Sequence, residues 1–391
     1  MEENNQEVYE EDIRKAAADF EEILRSQLSR CRKIRESEDN KTNLKEKKKI
    51  VIGLTGGDGI GPILMKEAKT ILEKIFALEI KNGKIELKEI QGFTLERRLA
   101  AGETVPSDVL CEMKKCDVLL KGPTTTPSAG KNSINLESAN VFLRKEFDLF
   151  ANIRPVNIPE EGIDWTFFRE NTEGEYALGS SGIRLSDELS VDFKVTTNEG
   201  TRRIAKAAFD FARNNGKKRV SIVTKANIMK KTDGNFLRVC REVANSYPDI
   251  EMDSWFVDIM AANLINKNIR NKFEIFVLPN LYGDIITDEA AEIQGGVGTA
   301  GSANVGTNYA IFEAIHGSAP RMVEDGLADR ANPASLLKAA AMMVAHIGYE
   351  DRAKKLNSAI SRADELIGAR MTGFKDGATT REYGEIVGNY L

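Results

Sequence analysis

Two aspartates, Asp284 and Asp288, stand four residues apart in the stretch Asn280 to Asn304, NLYGDIITDEAAEIQGGVGTAGSAN. The apolar run FEIFVLP ahead of them reads as a buried strand, and a helical pattern begins as they arrive. On a helix that spacing puts both carboxylates on one face, where like charges repel by roughly 0.2–0.5 kcal/mol. A hard divalent cation turns the repulsion into binding, because it takes its ligands from carboxylate oxygens. The alternative is an N-cap aspartate followed by a solvated one. Only two histidines are present, His316 and His346, so a histidine-rich metal site is excluded and any metal must sit on carboxylates.

Other charged residues fall where strand-like runs end. Arg154 follows FDLFANI, Arg169 follows DWTFF, Lys225 follows RVSIVT, and Asp258 opens an apolar helix after DSWFV. Ligands of open α/β sheets gather at the carboxyl ends of strands, so the recurrence favours a polar small-molecule site. Ser138, Asn140 and Arg144 lie within two turns of a helical pattern. Arginine forks bind carboxylates bidentately, and several converging arginines suit a substrate with more than one carboxylate. Salt bridges to local Glu and Asp are the ordinary alternative. Tyr176 and Lys225, taken singly, also read as surface residues with half-buried stems.

The elements that must position these residues begin at Lys49. IVIGLTGGDGIGP is a strand, a glycine-rich turn and a helix started by Pro62. No GK[ST] follows, and the GxGxG spacing has no suitably placed acidic residue about twenty residues on, so the turn is only a weak signal for phosphate contact. CDVLLKGPTTTP is a buried strand breaking into a loop with Lys121, Thr124, Thr125 and Thr126. Near the end, FEAIHGSAP sets His316 beside Gly317 and Pro320, where a neutral imidazole suits an adenine or a structural role, and Asn332 caps the next helix.

At 391 residues, two domains or one large α/β unit is the expectation. A net charge of −5 with mixed signs leaves no basic footprint for nucleic acid. No apolar run reaches the ~18 residues that span a bilayer, no signal-peptide h-region opens the chain, and the acidic start is unlike a transit peptide. Cytoplasm is the expected location. The four cysteines have no metal spacing and suit a reducing compartment. Residues 1–48 stand apart: Tyr9, Ile13, Ala16, Phe20, Ile23, Leu24 and Leu28 recur at helical spacing, and RKIRESEDNKTNLKEKKK reads as a charged linker without an apolar face. The segment is an accessory arm that packs on its own body or another subunit, or else a solvated tail.

The ordered set GGDGIGP, KGPTTTP, SxNxxxR, FFREN…Y, KANIMK, GDIITD and FEAIHGSAP, spread from Lys49 to Leu391, resembles the β-decarboxylating dehydrogenases, the family of isocitrate and isopropylmalate dehydrogenases. The resemblance implies an α/β fold: a doubly wound, non-Rossmann large domain with a mixed sheet (49–149 and 295–391), and a smaller α/β dimerisation domain (150–294) carrying metal and catalytic residues. It implies a homodimer with shared active sites, and a higher oligomer through the arm stays open. SxNxxxR resembles the isocitrate enzymes, whose Ser138 and Asn140 positions hydrogen-bond the extra carboxylate where isopropylmalate enzymes carry leucines. The implied reaction is the tricarboxylic acid cycle step from isocitrate to 2-oxoglutarate.

Carried over by the same resemblance, Mg²⁺ or Mn²⁺ is bound by Asp284 and Asp288, with Asp258 from the neighbouring subunit. The tricarboxylate substrate is held by Ser138, Asn140, Arg144, Arg154 and Arg169. NADP⁺ or NAD⁺ lies against Thr125, Glu313, His316, Gly317, Ser318, Ala319, Arg321, the loop as far as Met322, and Asn332. The 2-hydroxyl loses its proton to Asp258 or to the neighbour's Lys225 as hydride passes to the nicotinamide, and Tyr176, with Lys225⁺ beside it, protonates the carbon from which carbon dioxide leaves. The pair Arg321-Met322 departs from the Lys-Tyr of NADP members and the Asp-Ile of NAD members. Its arginine favours a 2′-phosphate, although MTGFKDGATTREYG lacks the second phosphate-binding Tyr and Arg of the family. Homoisocitrate, isopropylmalate or tartrate as substrate, a catalytically silent regulatory subunit, and a simple nucleotide-binding module are the competing readings.

Overall fold

The computed structural model describes residues 2–37, 44–127, 136–178, 182–184 and 189–391. They form two compact units, a larger one of 42–167 with 286–391 and a smaller one of 1–41 with 168–285. The chain opens with α1 (Glu2–Ser37). It continues through β1 (Ile50–Thr55), α2 (Gly61–Ile75), α3 (Ala77–Lys81), β2 (Ile85–Glu89), α4 (Leu95–Ala101), α5 (Ser107–Lys114), β3 (Val118–Lys121), α6 (Ala139–Glu146) and β4 (Ala151–Ile158). β5 (Ile163–Glu170) carries the chain into the smaller unit, followed by β6 (Ile183–Arg184), β7 (Ser190–Val191), α7 (Asn198–Asn214), β8 (Arg219–Thr224), α8 (Thr232–Ala244), β9 (Glu251–Phe256), α9 (Val257–Ile265) and β10 (Ile275–Leu278). α10 (Asn280–Gln294) leads out of it to β11 (Gly301–Val305), β12 (Ala310–Ala314), α11 (Pro320–Glu324), α12 (Ala334–His346), α13 (Glu350–Ile367) and α14 (Thr380–Asn389).

In the larger unit the strand order is β2-β1-β3-β12-β11-β4. The first four strands are parallel, and β11 runs antiparallel to both β12 and β4. Successive side chains of a strand point to opposite faces, and a strand buried on both faces is apolar throughout. VLLK of β3 obeys this rule: Val118 and Leu120 join the core made with α2, α12, α13 and α14, while Leu119 joins Val109, Met113 and Leu143 of α5 and α6. Helices therefore cover both faces of a mixed sheet, which is the doubly wound architecture expected. In the smaller unit β10, β8 and β9 pair in parallel, and the buried stripe Ile204, Ala205, Ala208, Phe209 and Ala212 gives α7 its apolar face. No described helix is long and apolar enough to cross a membrane.

The structure corrects three expectations about local placement. Arg154 and Arg169 lie inside strands, not beyond them, because β4 runs on to Ile158 and β5 to Glu170. The run read as a charged linker is helical as far as Ser37, because Ile34 buries itself and draws RKIRES into α1. α10 begins at Asn280, so Asp284 stands in its second turn and cannot be an N-cap.

The arm α1 belongs to the smaller unit. Phe20 stacks on Phe193 with ring centroids 5.2 Å apart, and Arg30 and Arg35 pair with Glu173 and Glu199. Ile13, Leu24 and Leu28 of the same helix stay exposed. The side chain of Tyr9 lies outside the described residues.

Candidate active site

In the smaller unit the first turns of α10 meet the end of β5. Arg169 is 1% exposed; its Nε and Nη2 donate to Asn280 Oδ1 at 2.9 and 2.6 Å, and its Nη1 donates to Asp284 Oδ1 at 2.5 Å. A Cβ on Gly283 would stand 2.5 Å from Arg169 Cγ, so the glycine is what lets the arginine lie across the helix. Tyr176 donates its hydroxyl to the other oxygen of Asp284 at 3.0 Å, and the Arg169 guanidinium sits 5.5 Å from its ring centroid. Asn280, adjoining Pro279, completes the set by donating Nδ2 to the Glu173 carbonyl at 2.9 Å.

A second group forms where β8 and β9 end. Lys225 donates Nζ to Asp258 Oδ1 at 2.6 Å, and this hydrogen bond holds the Asp258 carboxyl below the usual carboxylate range. The Lys225 backbone N–H donates to Asp233 Oδ2 at 2.7 Å. Asp233 is fully buried, and its other oxygen takes the ammonium of buried Lys194 at 2.6 Å, which also stands 4.2 Å over the Tyr282 ring.

In the larger unit Arg154 donates Nη1 to Thr287 Oγ1 and to Asp288 Oδ1, each at 2.7 Å. Ser138 is the N-cap residue of α6 yet makes no side-chain capping bond, and Asn140 Oδ1 accepts from Thr124 Oγ1 at 3.2 Å. Glu313 of β12 is buried. Lys121 stands 2.8 Å from its Oε2, Asn304 Nδ2 donates to its Oε1 at 2.7 Å, and Arg144 lies 3.8 Å away. Burial by itself would raise the Glu313 pKa, but the Lys121 and Arg144 cations outweigh it and bring it down to about 2. Lys121, Asn140, Arg144 and Glu313 together line a small cavity of about 10 Å³. A larger one, about 270 Å³, lies between β1, α2 and Phe93 and touches none of the residues expected to carry the chemistry.

The glycine-rich turn packs against the loops that carry Pro123 and Ser318. The Asp58 and Ile60 amides donate to the Pro123 and Ser318 carbonyls at 2.8 and 3.0 Å. Gly57 and Gly59 have positive φ, and a Cβ on either would stand 2.2 or 1.9 Å from those same carbonyl oxygens. Asp58 accepts the Thr125 amide at 2.7 Å, fully buried Arg98 donates to the Thr125 carbonyl at 2.9 Å, and Thr125 Oγ1 is 2.7 Å from Ser318 Oγ. Asp58, Arg98, Lys121 and Asn304 were not expected as site-forming residues. Only Lys121 carried a signal, its place at a strand end.

In the loop that follows β12, His316 has its Nδ1 2.9 Å from the Gly317 carbonyl, while its buried Nε2 has no hydrogen-bond partner. Burial lowers its pKa, so the ring is neutral. Gly317 is exposed, Ala319 takes a left-handed φ of 46°, and Arg321 is exposed in α11. Asn332 is not the cap residue expected: Pro333 is the N-cap of α12, and Asn332, one position earlier, accepts the Ala334 amide on its Oδ1 at 2.9 Å. An unpartnered buried imidazole nitrogen beside a strained turn is a fitting contact for an adenine ring. The carboxylate donors Asp284, Asp288 and Asp258 fit a hard cation. Among the described residues, no three His, Cys, Asp or Glu side chains form a group able to hold a metal within one chain.

Fold and side chains together define an α/β protein in which two buried strand arginines pair with two aspartates of α10. The description "Isocitrate/isopropylmalate dehydrogenase" matches residues 51–387, and the chain belongs to that family of dehydrogenases. It is 40% identical over 324 residues to an NADP isocitrate dehydrogenase of Rickettsia prowazekii, covering 80% of this chain but only 63% of that relative's length. The mitochondrial NAD isocitrate dehydrogenase subunit alpha of Homo sapiens is 39% identical over 331 residues, 80% of this chain and 85% of that one. Homoisocitrate dehydrogenase of Methanocaldococcus jannaschii is 34% identical over 352 residues, 86% of this chain and 96% of that one. The crystal structure of isocitrate dehydrogenase from Methylococcus capsulatus matches with a TM-score of 0.75 at 33% identity, covering 87% of this chain and 99% of that one.

Proposed function

We propose that the chain is a metal-dependent isocitrate dehydrogenase that converts isocitrate to 2-oxoglutarate and carbon dioxide while reducing NAD(P)⁺. The observation that carries this reading is the aspartate pair one turn apart on α10, each member bonded to a strand arginine: Asp284 to Arg169 and Asp288 to Arg154. Aspartates engaged with a cation leave both guanidinium forks to the carboxylates of the substrate. Arg144 adds a third fork, and the Ser138 hydroxyl and Asn140 amide hydrogen-bond the carboxylate that isopropylmalate lacks.

Asp284 and Asp288, with Asp258, would hold the divalent cation, which would supply Lewis-acid polarisation of the 2-oxygen, and the bound nucleotide would supply the hydride acceptor. Asp258 or Lys225 takes the 2-hydroxyl proton. After the carboxylate on C3 leaves as carbon dioxide, Tyr176 returns a proton to C3. A phenol of ordinary pKa about 10 does this quickly only beside a cation, and Lys225 is the residue assigned that role. We assign Lys225 and Asp258 to the partner subunit of a homodimer. The reading is supported by their bond to each other, which sets the ammonium and the carboxylate side by side.

Thr125, Glu313, His316, Gly317, Ser318, Ala319, Arg321 and Asn332 serve the nucleotide. NADP⁺ is favoured by Arg321, which is exposed and so open to a 2′-phosphate. Homoisocitrate is the second reading, favoured by the Methanocaldococcus relative. The test is NAD(P)H formation, followed spectrophotometrically, with isocitrate, homoisocitrate, isopropylmalate and tartrate, with Mn²⁺ and with chelator. The expected result is Mn²⁺-dependent reduction with isocitrate; full activity after exhaustive metal stripping overturns the proposal.

A further inference from the structure

We propose that Arg30 of the N-terminal arm is a positioning residue for Arg169, Asp284 and Tyr176, so that the arm helps assemble the active site. The inference deepens the dehydrogenase reading and rests on it for its link to turnover.

Two carboxylates, Glu170 and Glu173, are buried directly after Arg169. Glu170 takes the Thr172 hydroxyl at 2.7 Å and the Glu173 amide at 2.6 Å from its own segment, and Glu173 takes the amide of Thr197, the N-cap of α7, at 2.8 Å. Burial and the nearby Glu173 carboxylate push Glu170 up to about 7, even with the Arg30 and Arg203 cations drawing it down. Two like charges removed from water need cations close by, and taking one cation away leaves an uncompensated buried charge. Arg30 is one of them. Its Nη1 donates to Glu173 Oε1 at 2.9 Å and its Nη2 to Thr172 Oγ1 at 2.7 Å, with only 23% of the Arg30 side chain and 3% of the Glu173 side chain exposed.

The network continues from Glu173 to the catalytic set. The Glu173 carbonyl accepts Asn280 Nδ2 at 2.9 Å, Asn280 Oδ1 accepts two Arg169 nitrogens, and Arg169 Nη1 reaches Asp284, which also receives the Tyr176 hydroxyl. Gly174 passes so close to Asn280 that a Cβ there would stand 3.0 Å from Asn280 Cβ, so a shift of residues 172–174 moves Asn280 with it. Arg30 therefore fixes the carbonyl on which Asn280 and Arg169 are hung, although it touches no reacting atom. Arg35 provides the contrast: it ties α1 to Glu199, whose carboxylate accepts from Arg35 and Arg202 and makes no hydrogen bond to Glu170, Glu173 or Asn280.

The experiment compares Arg30→Ala, Arg30→Lys and Arg35→Ala in the full chain by steady-state kinetics and by hydrogen exchange of the peptide 169–178. Residues along such a network modulate function by about 0.5–2 kcal/mol, or roughly 2- to 30-fold. Arg30→Ala is expected to lower kcat/KM for the hydroxy acid within that range and to speed exchange in 169–178. Arg30→Lys restores part of both, and Arg35→Ala changes neither. Unchanged exchange and kinetics in Arg30→Ala overturn the proposal, as does an equal loss in Arg35→Ala, which would mean that the arm matters only as a docked helix. An unmodified chain with no dehydrogenase activity overturns the functional reading instead, and exchange in Arg30→Ala then decides the Arg30 contact separately.

Discussion

Replacing Lys121 by Met tests the buried ion pair that holds the larger unit's polar cluster together. Lys121 is 2% exposed, sits 2.8 Å from Glu313 and also donates to the Gly122 carbonyl at 2.9 Å. The Glu313 pKa falls from 4.5 to about 2 although burial opposes the shift, which at 1.36 kcal/mol per unit corresponds to about 3 kcal/mol at neutral pH. Removing one partner of such a pair costs roughly 3–5 kcal/mol, because the other charge stays buried. Arg144 at 3.8 Å and the Asn304 amide remain, so the cost falls near the lower end, about 3 kcal/mol. Met at both positions 121 and 313 removes the orphaned charge and recovers most of the loss.

The pH dependence has a fixed sign. A carboxyl whose folded pKa lies below its unfolded value stabilises fully above the unfolded value and loses that contribution as pH falls through the folded one. The gap between wild type and Lys121→Met is therefore widest above pH 4.5 and closes toward pH 2. Urea midpoints followed by far-UV circular dichroism at a series of pH values measure it. A single variant that loses less than about 1 kcal/mol, or a double variant less stable than the single one, refutes the reasoning.

Tyr176→Phe is expected to abolish most overall turnover yet spare reduction of added oxalosuccinate, since only the protonation of C3 needs the phenol; equal loss of both rates would falsify the role. Asn140→Leu removes a hydrogen bond to a charged group, worth about 1.5–3 kcal/mol, so kcat/KM for isocitrate drops roughly 10- to 150-fold; an unchanged value dismisses Asn140 as a substrate contact. Arg321→Asp is expected to move the ratio of kcat/KM values from NADP⁺ toward NAD⁺, and a strong NAD⁺ preference in the unmodified chain contradicts the role given to Arg321. Asp284→Asn weakens Mn²⁺ binding, read from the free-ion paramagnetic resonance signal, and Mn²⁺ affinity equal to wild type removes Asp284 from the cation site.

Patterns of short range were legible in the residues alone. β3 announces itself as an apolar run because both of its faces are covered, and a four-residue spacing puts Asp284 and Asp288 on one helical face. Seven motifs in order were enough for the family, which the match over residues 51–387 bears out. The boundaries of β4, β5 and α1 were not legible, because strands end where pairing stops and helices run on wherever one residue, here Ile34, finds cover. Partners far apart in the chain were equally hidden. Nothing in the spacing pairs Lys121 with Glu313, sets Arg30 against Glu173, or turns Gly57 and Gly59 toward carbonyls of other loops. Local sequence determines periodicity and chemical type, since these depend on neighbours a few bonds away. Which buried charge finds which counter-charge is decided only when the chain closes on itself and desolvation makes an unpaired ion costly.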